Sequence, residues 1–194
     1  MSQSAQIKAT TDSMLSTKSY GHSDVGFLRE TNEDSFLNEE SKSVFAIADG
    51  VGGLPYGALA SLLAMQNLDA FVYGQNSCSS EQEFREIAHC IHRNILKCGE
   101  IVGGQNGIGT TFSALRFVDG IFLYAHVGDS VILHFDPVGK NLKQISKSHT
   151  LAAELLAKHG PDSGIDIPDH YSHTLTRCMG QDIDFDVDLS LIHI

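Results

Sequence analysis

Between residues 110 and 146 four strand-like segments follow one another with almost no chain to spare: "TTFSALRFV", "IFLYAHV", "VILHFD" and "LKQIS". Asp119-Gly120 and "PVGK" separate two of the pairs, and gaps that short permit only hairpins. Parallel strands need a crossover of a dozen residues or more, so this stretch must form antiparallel sheet. An earlier strand, "SVFAIADG" (43–50), stands apart from the four. Between them lies "GALASLLAMQNLDAFVYG" (57–74), too long and too rich in Ala, Leu and Met for a strand, which reads as a buried helix. The stretch 79–100 reads as a second helix. Ser80 sits three residues before Glu83 as a capping box, and Phe84, Ile87, Ile91, Ile95 and Cys98 share one face. "TLAAELLAKHG" (150–160) is a short helix ending in glycine, and "DIDFDVDLSLIHI" alternates like a strand with one wet face. Helices inserted in blocks among hairpin strands make an α+β domain.

With 194 residues the chain suits one domain, 21–194, preceded by a flexible arm over 1–20 that is rich in Ser, Thr and Gln. The formal charge of −11 argues against a nucleic-acid or anionic-membrane binder, because both need a positive footprint. It also means that any phosphorylated substrate must overcome a repulsive field locally, for which bound divalent cations are one remedy. Neither a signal peptide nor a transmembrane stretch is evident, so the cytoplasm is the expected compartment. Cys78, Cys90, Cys98 and Cys178 form no CxxC pair and read as reduced thiols. His89, Cys90, His92 and Cys98 are close enough to suggest zinc, but the apolar helical face through Cys90 and Cys98 is the stronger reading.

Three clusters could carry chemistry. "GFLRETNEDSF" (26–36) places Arg29 beside Glu30, Glu33 and Asp34. Adjacent carboxylates suit hard divalent cations, and a guanidinium forks onto phosphate oxygens. A solvated acidic surface explains the same run. "FAIADGVGG" (45–53) is an apolar strand that ends on Asp49 and then sheds nearly every side chain. Asp49-Gly50 could be a hairpin turn, or the glycines could let backbone and ligand approach closely. "AHVGDS" (125–130) is another apolar strand ending in Gly-Asp. Competing motifs fail on spacing. "GGQNGIGTT" has no P-loop lysine, and "GDSVI" lacks the second glycine of a nucleophile elbow, so Ser130 is a poor nucleophile candidate.

The clusters occur in a telling order: Arg29 with "NED" (32–34), "VFAIADGVGG" (44–53) running into "GALAS", "GTT" (109–111), "HVGDS" (126–130), "HTL" (149–151) and "HTLTRCMG" (173–180). In that order they resemble the metal-dependent protein phosphatases of the PP2C (PPM) type, in particular the short bacterial members acting on phosphoserine and phosphothreonine. The resemblance runs from residue 22 to about 188. It implies a β-sandwich of two antiparallel sheets flanked by helices, and hydrolysis by a water activated between two Mg²⁺ or Mn²⁺ ions.

Residue by residue, the resemblance implies that Asp49 bridges the metals and that the Gly50 carbonyl is a further ligand. Glu33 and Asp34 would hold metal-bound waters, Arg29 would grip the substrate phosphate, and Asp129 would serve a third, weaker metal site. Thr110 and Thr111 match positions read as structural. The implied partner is a phosphorylated protein, the target of a cognate Ser/Thr kinase. Departures from the family pattern are Val131 for an arginine, Ser148 for an aspartate and Ala58 for a glutamate. The family also carries "SDG" and "DN" aspartates beyond the matched span, and neither occurs before Ile194. The domain is therefore expected to be C-terminally incomplete. The alternative function is a catalytically impaired binding or regulatory module.

Overall fold

A computed structural model describes residues 17–74, 80–161, 164–182 and 185–193. Cys78 and residues 1–16 of the expected arm lie outside the described residues. Residues 17–20 run beside the 3-10 turn Glu40–Lys42, where the Ser19 N–H donates to Glu40 Oε1 at 2.7 Å.

The main sheet has five strands: β1 (Asp34–Glu39), β2 (Val44–Asp49), β3 (Phe112–Val118), β4 (Ile121–Val127) and β7 (Asp188–His193). Their spatial order is β1-β2-β3-β4-β7, and every neighbouring pair is antiparallel. The second sheet is a single hairpin, β5 (Leu133–Asp136) with β6 (Asn141–Gln144). Asp119 and Gly120 both take positive φ (48° and 78°), the turn that Asp-Gly favours between twisted strands. The hairpin is tied to the main sheet through β4, where the Tyr124 hydroxyl donates to the Ile145 carbonyl at 3.0 Å.

Helices α1 (Gly57–Gly74) and α2 (Glu81–Val102) pack on one face of the five-stranded sheet and on each other. The face they cover is built from alternate residues of the strands: Val44, Ala46 and Ala48 of β2, Phe112 and Ala114 of β3, and Leu123, Ala125 and Val127 of β4, all buried. Four alanines in that set let the helices sit close to the sheet. They contribute Ala60, Ala64, Met65, Leu68 and Val72 from α1 and Phe84, Ile87, Ile91 and Ile95 from α2. The spacing of three and four expected for the 79–100 helix is thus the spacing that meets the core. Its cap forms as the sequence implies: Ser80 Oγ accepts from the Glu83 N–H at 3.2 Å. The third helix, α3 (Leu151–His159), is capped by the Thr150 hydroxyl and stops at Gly160, whose φ is +86°.

His92 serves packing: it stacks on Phe185 with ring centroids 4.0 Å apart, and its Nδ1 accepts the Gly180 N–H at 3.2 Å. Among the described residues no His, Cys, Asp and Glu side chains form a metal-holding group of three, in this helix or elsewhere.

Candidate active site

Strand β2 delivers Asp49 to one end of the main sheet. The chain then enters a loop and turns into α1, so Asp49-Gly50 makes no hairpin. The glycines serve close approach instead. A Cβ on Gly50 would overlap the backbone of Gly57, the first residue of α1, and a Cβ on Gly57 would lie 3.0 Å from Glu33 Oε1. Two backbones are therefore pressed together where β2 ends and α1 begins. The Gly50 N–H donates to the Glu33 carbonyl at 3.0 Å, and the Ser61 hydroxyl donates to the same carbonyl at 2.6 Å. The "GALAS" run thus supplies a glycine for contact and a serine for anchorage.

Strand β1 hides inside the acidic run. It begins at Asp34, whose register partner on β2 is Asp49. Two carboxylates directly opposite each other on adjacent strands repel. The Asp49 carboxyl is pushed up to about 6. Burial is the main cause, followed by the charge and hydrogen bond of Asp34, with Asp129 adding to the rise and Arg29 opposing it. These residues are consequently close enough to feel one another. Such a pair, together with a nearby backbone oxygen, is a chemistry that a hard cation retaining several of its waters would satisfy.

A cleft of about 740 Å³ opens over Asp49 and is lined by Arg29, Gly50, Thr111 and Asp129, with His173 and Cys178 on another wall. Asp34 lines an adjoining pocket that shares Asp49. Glu33 lies just before β1, its carboxylate beside Gly57 where α1 meets Gly50. Arg29 is exposed and makes no ion pair among the described residues. Burial raises the Cys178 thiol to about 11, leaving it inert as a nucleophile.

The Thr110–Thr111 pair holds the backbone of Asp49. Thr111 Oγ1 accepts the Asp49 N–H at 2.9 Å, the Thr111 N–H donates to the Asp49 carbonyl at 2.9 Å, and Thr110 Oγ1 donates to that carbonyl at 2.9 Å. On the far side, His149 clamps the turn before Asp129: its Nδ1 accepts the Gly128 N–H at 3.0 Å and its backbone N–H donates to the Gly128 carbonyl at 2.8 Å. The His149 contacts have no motif beyond "HTL" to announce them. The cleft wall at His173 and Cys178 comes from "HTLTRCMG", a run whose composition alone says nothing of a site.

Comparison with known proteins gives this geometry a setting. No protein-family model matches the chain. Protein phosphatase PhpP of Streptococcus pneumoniae is 32% identical over 141 residues, covering 69% of this chain and 55% of that protein. Serine/threonine phosphatase stp of Listeria welshimeri is 29% identical over 179 residues, covering 87% of this chain and 69% of that protein. The chain belongs to the PP2C-type phosphatase family. Its fold agrees with that of the catalytic domain of the serine/threonine protein phosphatase PstP, solved in complex with two manganese ions. That match has a TM-score of 0.72 at 24% identity and covers 88% of this chain and 70% of the PstP chain. The chain spans about half the length of the pneumococcal relatives it matches. No helix among the described residues is long and apolar enough to cross a membrane.

Proposed function

We propose that the chain carries the catalytic cleft of a metal-dependent protein serine/threonine phosphatase. The observation that carries this reading is the Asp34–Asp49 pair, register partners at the strand ends with Asp49 raised to about 6 by burial first and by Asp34 second, beside an arginine with no ion pair among the described residues. The Asp49 carboxyl is raised by desolvation and by the charge opposite it, and a divalent cation would remove that penalty. Asp49 and the Gly50 carbonyl would hold two Mg²⁺ or Mn²⁺ ions, with Asp129 serving a third. Glu33 and Asp34 would enter through coordinated waters. Such ions neutralise phosphate charge and acidify water for attack on phosphorus. Arg29, exposed at the mouth, binds the phosphate of a phosphoserine or phosphothreonine by its two-pronged fork. The substrate is a phosphorylated protein, the product of a Ser/Thr kinase, handled in the cytoplasm.

One observation favours a second reading. Among the described residues no three acidic, His or Cys side chains converge as a metal-holding group. A phosphatase fold holding its cation weakly would act as a binding or regulatory module.

The experiment is phosphate release from a phosphothreonine peptide with Mn²⁺ titrated, for wild type and Arg29→Ala. Loss of the fork is expected to raise KM about tenfold or more, since charge-assisted bonds contribute roughly 1.5–3 kcal/mol. Unchanged KM in Arg29→Ala would contradict the assignment of Arg29, and Mn²⁺-independent release would contradict the metal.

A further inference from the structure

We propose that Thr111 is a positioning residue that fixes the separation of the two carboxylate-bearing turns, at Asp49 and at Asp129. The inference rests on the reading of the cleft as a metal-dependent phosphatase site. Thr111 is 2% exposed and sits just before β3, between the end of β2 and the end of β4. Both arms of its branched side chain are engaged: the hydroxyl reaches both turns, and the methyl packs on the turn at Asp129.

The hydroxyl works in two directions. It accepts the Asp49 N–H at 2.9 Å and lies 2.9 Å from Ser130 Oγ, the residue after Asp129. With one lone pair taken by the amide, its own proton is available to Ser130. A continuous path therefore runs from the Asp49 backbone through one buried oxygen to the Asp129 turn. The methyl abuts Gly128 on the same turn: a Cβ there would come within 2.6 Å of Thr111 Cγ2. Gly128 has a φ of +109°, so this turn is shaped for glycine and fits against the threonine.

The turn is pinned from its other side as well. The two hydrogen bonds between Gly128 and His149 leave it little room to drift away from β4. Held between His149 and Thr111, Asp129 is placed relative to Asp49 by contacts that touch neither carboxylate. Groups that orient metal ligands in this way typically change affinity by about 10–100-fold when removed.

The test separates the two arms of the side chain. Thr111→Val keeps the methyl and the shape but removes the hydroxyl, Thr111→Ser keeps the hydroxyl but removes the methyl, and Ser130→Ala breaks only the far end of the path. Mn²⁺ affinity is read by calorimetry well below each variant's unfolding temperature, and amide exchange at Asp49 is read by NMR without metal. Thr111→Val is expected to bind Mn²⁺ about tenfold more weakly and to lose protection at Asp49. Thr111→Ser should stay within about threefold of wild type on both measures, and Ser130→Ala should weaken Mn²⁺ binding while keeping Asp49 protected. Mn²⁺ affinity in Thr111→Val within about twofold of wild type overturns the inference, as does a Thr111→Ser protein as weak as Thr111→Val. If Thr111→Val does not fold, Ser130→Ala decides: unchanged Mn²⁺ affinity there overturns the inference. A wild-type chain that binds no Mn²⁺ overturns the phosphatase-site reading, and the role of Thr111 falls with it.

Discussion

Asp34 and Asp49 stand directly opposite each other on β1 and β2, and the Asp49 carboxyl sits at about 6 as a result of burial and of its neighbour's charge. Nothing in the fold requires two acids at that register. Like charges at facing positions destabilise the fold unless something lies between them to offset their repulsion. Asp34→Asn is therefore expected to shift two quantities in opposite directions. Stability to urea in EDTA at pH 7 should rise by about 0.5–1 kcal/mol as like-charge repulsion is lost. Mn²⁺ affinity should fall by about tenfold or more. A variant less stable than wild type in EDTA would show that the pair is not strained.

The glycine contact between the end of β2 and the start of α1 makes a second prediction. Gly50→Ala drives a Cβ into the Gly57 backbone, where no side chain can rotate away. Destabilisation of about 2–3 kcal/mol is expected from this overpacking. A Cβ on Gly52 would meet nothing within 4 Å, so Gly52→Ala serves as the control and should change stability by less than about 0.5 kcal/mol. Chemical denaturation of the two variants side by side measures the difference, and equal stabilities would contradict the packing argument.

Three buried histidines set the pH response. Burial lowers His92 and His126 to about 4, and it also lowers His149, with the Arg177 charge adding to the effect. In the unfolded chain each titrates near 6.5. The folded state therefore binds fewer protons than the unfolded state between about 6.5 and 4, and stability falls as pH drops through that window. Asp49 works against this trend: its folded value is raised from 3.8 to about 6, so its contribution is present at low pH and lost as pH rises. The histidines outnumber it. Thermal unfolding in EDTA should show the unfolding temperature falling steadily from about pH 6.5 to about 4, and Asp49→Asn should steepen that fall. A flat profile over this range would contradict the burial of the histidines as neutral rings.

Much of the fold was legible in the sequence because the signals were local. The helix at 57–74 follows from composition and length, that at 81–102 from its cap and apolar spacing, and the Asp119-Gly120 hairpin from turn chemistry. Strand β1 was less visible. In "DSFLNE" Phe36 and Leu37 are adjacent, one on each face of the strand, so no period of two stands out from the acidic residues around it. Without β1 the opposition of Asp34 to Asp49 could not be seen. Other features depend on contacts between distant segments: Gly50 against Gly57, His92 on Phe185 at a ring separation of 4.0 Å, and Thr111 between two turns. Single-residue chemistry does not encode such pairings. The clustering of Arg29, Asp49 and Asp129 in one cleft was accessible only through the order of motifs and their resemblance to a family.

The most direct test of the central claim is Mn²⁺-dependent hydrolysis of a phosphothreonine peptide by the 194-residue chain, beside Asp49→Asn and a metal-free control. Hydrolysis that needs both Mn²⁺ and the Asp49 carboxylate is the predicted result, with the variant reduced by about 100-fold or more, as loss of a metal-holding carboxylate implies. Hydrolysis that survives Asp49→Asn, or none at all from a folded wild-type chain saturated with Mn²⁺, would contradict it.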